Sequence, residues 1–168
     1  MKIVILRPGA MGCLIAAFLT KSKEEIWLLD KNKERAQILQ RQGIHIEGVS
    51  GTWQAKVSAT ADCKEVGDAQ LLVICVKSYN TKEALTMAKP LIHDSTKILT
   101  LQNGIGNIEV ISEIAGSDKV IGGVTNLGAT LLDVGKLRHA GKGETVIGRI
   151  DGKIPVEMRS IREIFNKV

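Results

Sequence analysis

The chain alternates short apolar runs with longer amphipathic or apolar stretches, and Gly, Pro and polar residues punctuate the boundaries. Lys2 to Leu6 is a β-branched run bounded by Pro8-Gly9, and Ala10 to Lys21 then reads as a mostly apolar helix. Glu25 to Leu29 predicts a second strand. Lys31 to Gln42 predicts a surface helix that turns Ala36, Ile38 and Leu39 inward and stops at Gly43. Ile44 to Gly48 and Thr52 to Ala59 flank Val49-Ser50-Gly51 and read as a short pair of strands. Gln70 to Val76 is continuously apolar rather than alternating, the pattern of a parallel strand covered on both faces.

The same rhythm continues to the end of the chain. Asn80 to Lys89 suits a helix ending before Pro90, Lys97 to Leu101 a strand, and Gly106 to Ala115 a helix stopped by Gly116. Val120 to Asn126 continues the strand pattern, and Ala129 to Leu132, Leu137 to Ala140 and Glu144 to Gly148 are short strand-like pieces set apart by glycines. These predict a strand-rich extension at the sheet edge. Pro155 to Val168 places Val156, Ile161, Ile164 and Phe165 on one face of a closing helix. The fold class expected is α/β, a Rossmann-type doubly wound and mostly parallel sheet over residues 1–152, with 153–168 starting a linker or helix toward something further.

In such a sheet ligands bind beyond the carboxyl ends of the strands. Arg7-Pro8-Gly9-Ala10-Met11-Gly12 follows the first strand, Asp30-Lys31 the second, Lys77-Ser78 the buried Gln70–Val76 strand, and Gln102-Asn103-Gly104 the next. In the phosphate-binding pattern G-x-G-x-x-G, glycines permit the tight turn, backbone approach to a pyrophosphate and close helix–strand packing. Gly9 and Gly12 occupy the second and third glycine positions; Arg7 replaces the first. Alone, this incomplete match equals an ordinary strand-to-helix turn; its place after an N-terminal strand and before a small-residue helix raises it. Arg7 carries a Cβ, and its position before a proline biases it toward extended backbone, so weakened cofactor binding is expected. The alternative is a charge-assisted contact from its guanidinium to a phosphate.

Asp30 lies 18 residues after Gly12, near the spacing of a carboxylate that holds an adenosine ribose and favours NAD. Lys31, Lys33 and Arg35 crowd the same strand end and suit the 2′-phosphate of NADP, although a solvated helix face accounts equally for Lys33 and Arg35. Lys77 places a cation at the end of a buried strand. Asn103 is either a simple Asn-Gly turn residue or a donor to nicotinamide, ribose or substrate oxygens.

Composition narrows the classes. Hydrophobic residues make up 44% and charged residues 24% of 168 residues, a globular composition with room for one well-cored domain. No run is long and apolar enough for a membrane helix, and Met1 to Leu6 does not read as a signal peptide, so a cytoplasmic location is expected with no membrane partner. The net charge of +5 is not arranged as a basic stripe and aromatics are 3%, which argues against nucleic acid and for a small phosphate-bearing ligand. Cys13, Cys63 and Cys75 are widely spaced and read as reduced core thiols, and His45, His93 and His139 have no partner at metal-ligand spacing. No metal site is expected.

Four ordered segments carry a resemblance: Met1 to Gly12, Leu72 to Lys77, Leu101 to Gly106, and Gly135 to Gly143 with its Gly-x-x-x-His-x-Gly-x-Gly pattern. Together they resemble the ketopantoate reductase family over nearly the whole chain. The resemblance implies NADPH-dependent reduction of 2-dehydropantoate to (R)-pantoate, a step toward pantothenate and coenzyme A. It also implies that Lys77 and the Gly9 to Gly12 turn bind cofactor, that Asn103 contacts cofactor and the small 2-keto acid, and that Ala129 lines the nicotinamide end. Lys31 matches a position where the family often has a base for the 2′-phosphate; Asp30 leaves NADH open.

The family's proton-donating lysine belongs to a helical second domain that would begin about where this chain ends. No residue here matches it, and Lys167 precedes it. The chain is therefore expected to be a cofactor-binding half, inactive alone, with no catalytic residue of its own. A homodimer is compatible with the resemblance. Two other readings stay open: another nicotinamide-dependent hydroxy- or keto-acid dehydrogenase, and a dinucleotide-binding module without catalysis.

Overall fold

The computed structural model describes residues 1–166, in which eleven strands, β1–β11, and five α-helices, α1–α5, follow one another along the chain. β1 (Lys2–Leu6), α1 (Ala10–Leu19) and β2 (Glu25–Leu29) form the expected βαβ unit. α2 (Lys33–Gln42) follows, capped by the Asn32 side chain, which accepts from the Arg35 backbone N–H at 3.0 Å. The strand predicted over Thr52–Ala59 divides in two. β3 (Ile44–Gly48) pairs antiparallel with β4 (Trp53–Ala55), whereas β5 (Ser58–Thr60) joins β2 in parallel. Local alternation cannot assign that segment, because the two halves satisfy backbone groups of different sheets.

β6 (Leu71–Ile74), α3 (Thr81–Ala88), β7 (Lys97–Thr100), α4 (Asn107–Ala115) and β8 (Val120–Thr125) continue the winding. The main sheet runs β11-β8-β7-β6-β1-β2-β5, parallel except for β11 (Thr145–Arg149), which returns antiparallel along β8. β11 is thus the expected edge strand. β9 (Gly128–Asp133) and β10 (Lys136–Gly141) leave that edge and complete a second sheet, β4-β3-β10-β9, in which β3 and β10 are parallel.

The second sheet explains the composition of α1. One side of α1 meets the main sheet and the other meets β3, β4, β9 and β10, so seven of its residues are buried and no polar face survives. Successive β1 residues serve opposite layers: Ile3 and Ile5 pack with α1, and Val4 and Leu6 pack with Ala84, Leu85 and Ile111 of α3 and α4. Each fully buried side chain of this size stabilises the fold by about 1.5–3 kcal/mol relative to exposure. α5 (Val156–Asn166) adds Met158, Ile161 and Ile164 to the α1 layer. Val156, expected on that apolar face, is 76% exposed because it stands at the first position of the helix and the buried stripe begins two residues later, at Met158. Lys167 lies outside the described residues.

Candidate functional site

Strand order reverses direction at the β1/β6 junction: α1 and α2 cover one face of the sheet, α3 and α4 the other. Loops leaving β1 and β6 consequently diverge to opposite faces, and a crevice opens at their carboxyl ends. Two hollows of about 490 and 380 Å³ occupy this crevice and share Cys75, Val76, Lys77 and Tyr79 as a common wall. The first extends over the glycine turn to Asp30, Lys31 and Arg35; the second extends past Met11 to Gln102, Asn103 and Thr125. A wider hollow of about 770 Å³ lies between α2 and the segment after β5, at the sheet edge rather than at the reversal point.

The glycine turn is built around two requirements. A Cβ on Gly12 would stand 3.1 Å from Ile5 Cγ2 and 3.5 Å from Pro8 Cβ, so glycine lets α1 settle against β1. A Cβ on Gly9 would meet nothing within 4 Å, so the turn is open toward the crevice. Arg7 departs from the expected extended backbone: its φ is +48°, the left-handed region, and it is the one non-glycine residue with positive φ among the described residues. The turn dictates this. Arg7 N–H donates to the Leu29 carbonyl at 2.7 Å while the chain must double back into α1, and the local proline preference yields to that geometry.

The charged groups around the turn are already interlocked. Asp30 is 4% exposed; its Oδ1 accepts from the Asn32 N–H at 2.9 Å and its Oδ2 from Arg35 Nε at 3.0 Å. Arg35 Nη2 also donates to the Pro8 carbonyl at 3.0 Å, so Arg35 braces the turn, while Lys33 is exposed. Arg7 Nη1 lies 2.8 Å from Glu83 Oε2, and Lys31 Nζ lies 3.4 Å from Glu83 Oε1. The Arg7 guanidinium, then Lys31, hold the Glu83 carboxyl below the ordinary carboxylate range. Lys77 is exposed and has no carboxylate partner among the described residues.

Asn103 is exposed at the other end of the crevice, on a loop held by neighbours. Gln102 Nε2 donates to the Val76 carbonyl and to Thr81 Oγ1, both at 2.8 Å, tying the loops after β6 and β7 together. Asn107 Nδ2 donates to the carbonyls of Asn103 and Gly104, each at 3.1 Å. Ala129 sits in β9 opposite His139, packed against the core, and lines neither hollow. The structure therefore brings Arg7, Pro8, Gly9, Ala10, Asp30, Lys31 and Lys77 to one hollow and Met11, Lys77 and Asn103 to the next, and leaves Gly12 and Ala129 outside both.

Glu83, Gln102 and Asn107 carry no local signal for these contacts. Glu83 reads as a surface helix residue, and its partner Lys31 is 52 positions away.

The sequence profile described as Ketopantoate reductase PanE/ApbA matches residues 3–152. The chain belongs to the ketopantoate reductase family. It corresponds to the N-terminal domain of these nicotinamide-dependent oxidoreductases. It is 35% identical over 167 residues to the 2-dehydropantoate 2-reductase of Halobacterium salinarum, covering 99% of this chain and 55% of that protein. It is 34% identical over 168 residues to the enzyme of the same name from Pyrococcus horikoshii, covering 99% and 54%. The chain thus spans about half the length of the curated relatives it matches.

Among solved structures, the 2-dehydropantoate 2-reductase of Geobacter metallireducens superposes with a TM-score of 0.90 at 25% identity, over 99% of this chain and 55% of that one. D-mandelate dehydrogenase, in a ternary structure with NADH and anilino(oxo)acetate, shares the fold with a TM-score of 0.90 at 23% identity, over 99% and 54% of the two chains. The Gly135–Gly143 segment with its single histidine has a structural place here. His139 is 2% exposed, its Nε2 lies 2.9 Å from the Gly141 carbonyl, and its ring meets Phe18 edge-on at 5.3 Å.

Proposed function

We propose that this chain binds the dinucleotide in a reductase that converts 2-dehydropantoate to (R)-pantoate with NADPH, a step toward pantothenate and coenzyme A. The open Gly9 backbone at the N-terminus of α1, with Lys77 on the wall common to both hollows, carries the reading. The turn from Gly9 to Gly12 would take the pyrophosphate on its backbone N–H groups, with Ala10 and Met11 forming the first helical turn beneath it. Lys31 would face a 2′-phosphate, and Lys77 the nucleotide between the two hollows. Asn103, held by Gln102 and Asn107, would orient the reactive end and the keto acid.

When bound, the nicotinamide supplies the hydride. The side chains on this chain bind and orient, and residues 1–152 act as the cofactor-binding domain of the reductase. A cytoplasmic location and a homodimer accord with this reading. Ala129 would contribute by packing at the base of the second sheet.

Asp30 favours a second reading, NADH as the cofactor, since a carboxylate at the β2 end suits a free ribose 2′-hydroxyl. Both Asp30 oxygens are engaged with Asn32 and Arg35, which favours NADPH. Titrating the chain with each reduced dinucleotide, followed by nicotinamide fluorescence, tests the proposal. Saturable binding with NADPH the tighter ligand is expected. Binding of neither refutes the function, and tighter NADH refutes the cofactor choice.

A further inference from the structure

The hollow of about 490 Å³ beside the glycine turn holds a cation whose side chain is only 9% exposed, Arg7. Its Nη1 lies against Glu83 yet finds no aligned hydrogen-bond acceptor among the described residues. Glu83 reaches in from α3 with a side chain that is 58% exposed, and its two oxygens take Arg7 at 2.8 Å and Lys31 at 3.4 Å. One carboxylate therefore spans the gap between two cations that come from the ends of β1 and β2. An anion held jointly by Arg7 and Lys31 must sit where that carboxylate sits.

We propose that Glu83 is an internal competitor for a phosphate monoester: it fills the position between Arg7 and Lys31 that the 2′-phosphate of the dinucleotide takes when Glu83 swings out. The inference rests on the dinucleotide reading above. Three observations place the position on the ribose side rather than on the pyrophosphate. Lys31 directly follows Asp30 at the β2 end, where a ribose is handled. Arg35, the other nearby cation, is committed to Asp30 and the Pro8 carbonyl. Gly9, which faces the pyrophosphate position, has no side chain against it. The Glu83 side chain is 58% exposed, with solvent to turn into, whereas the Arg7 backbone is held by its bond to Leu29. Because the carboxylate must be displaced first, the apparent affinity is reduced by the fraction of molecules in which it has left. Arg7, foreign to the glycine pattern, thereby becomes a selectivity residue.

The test is a titration of the whole chain and of Glu83→Gln, Arg7→Gly, the double variant and Glu113→Gln, each with NADPH and with NADH. Glu83→Gln keeps the shape and removes the charge; it should tighten NADPH about fivefold, the scale of a partly exposed ion pair, and leave NADH within about twofold. Arg7→Gly should abolish the gain when added to Glu83→Gln. Glu113→Gln, which removes one charge from an exposed position on α4, should change neither ligand, so that a net-charge effect is distinguished. Equal tightening of both ligands, no tightening, or a gain that survives without Arg7 overturns the inference while leaving the dinucleotide site in place. Absence of binding to every variant overturns the dinucleotide reading and this inference with it.

Discussion

Arg7 offers the sharpest test of the turn's geometry, because its φ of +48° is a conformation that side chains resist. A Cβ in the left-handed region costs roughly 1–2 kcal/mol relative to glycine. Glycine in turn makes the unfolded chain more flexible and gives back roughly 0.4–1 kcal/mol. Comparing Arg7→Gly with wild type mixes these effects with loss of the Glu83 pair. Comparing Arg7→Gly with Arg7→Ala removes that complication, since both variants lack the guanidinium. The difference isolates the backbone, and the glycine variant should be the more stable by about 1 kcal/mol, with a midpoint about 2–4 °C higher for a chain of this size. Urea unfolding followed by far-ultraviolet dichroism measures it, provided both variants unfold with equal slopes. An alanine variant as stable as the glycine variant would refute the left-handed turn and restore the extended backbone that Arg7-Pro8 suggests in isolation.

Gly12→Val should destabilise the fold by about 1–3 kcal/mol, because its Cβ alone stands 3.1 Å from Ile5 Cγ2 and the branched carbons go further; thermal melts check this, and a neutral outcome would contradict the close helix–strand contact. The Asp151 carboxyl is held down to about 2 from 3.8 by the Arg149 guanidinium and the Lys153 N–H. A depressed folded value means that its contribution is fully present above the unfolded pKa of 3.8 and is lost as pH falls toward 2. Asp151→Asn should therefore flatten the acid limb of urea midpoints over that window, and an unchanged limb would refute the pair. Burial pushes the Cys13 thiol up to about 12, so iodoacetamide at pH 8 should leave it unmodified in the native chain and label it after unfolding. Mass spectrometry of the labelled peptide distinguishes the two states.

Much of this protein is legible along its sequence. The uniformly apolar Leu71–Ile74 segment and the glycine stops at Gly43 and Gly116 are determined by near neighbours, because burial on both faces and positive φ act within a few residues. The carboxyl ends of those strands locate the crevice, which is why the glycine turn, Asp30, Lys31, Lys77 and Asn103 stand out in the sequence alone. The tertiary structure decided what depends on partners distant in the chain. Thr52–Ala59 divides between two sheets because its backbone groups meet β3 and β2, and β9 and β10 join β3 and β4 because α1 needs a second apolar cover. Arg7 takes a glycine's conformation because Leu29 and α1 fix the turn on both sides, and Glu83 becomes its counter-ion because the β1/β6 reversal brings α3 there. Periodicity reports which face of an element is buried; only the assembled sheet selects the group that covers it.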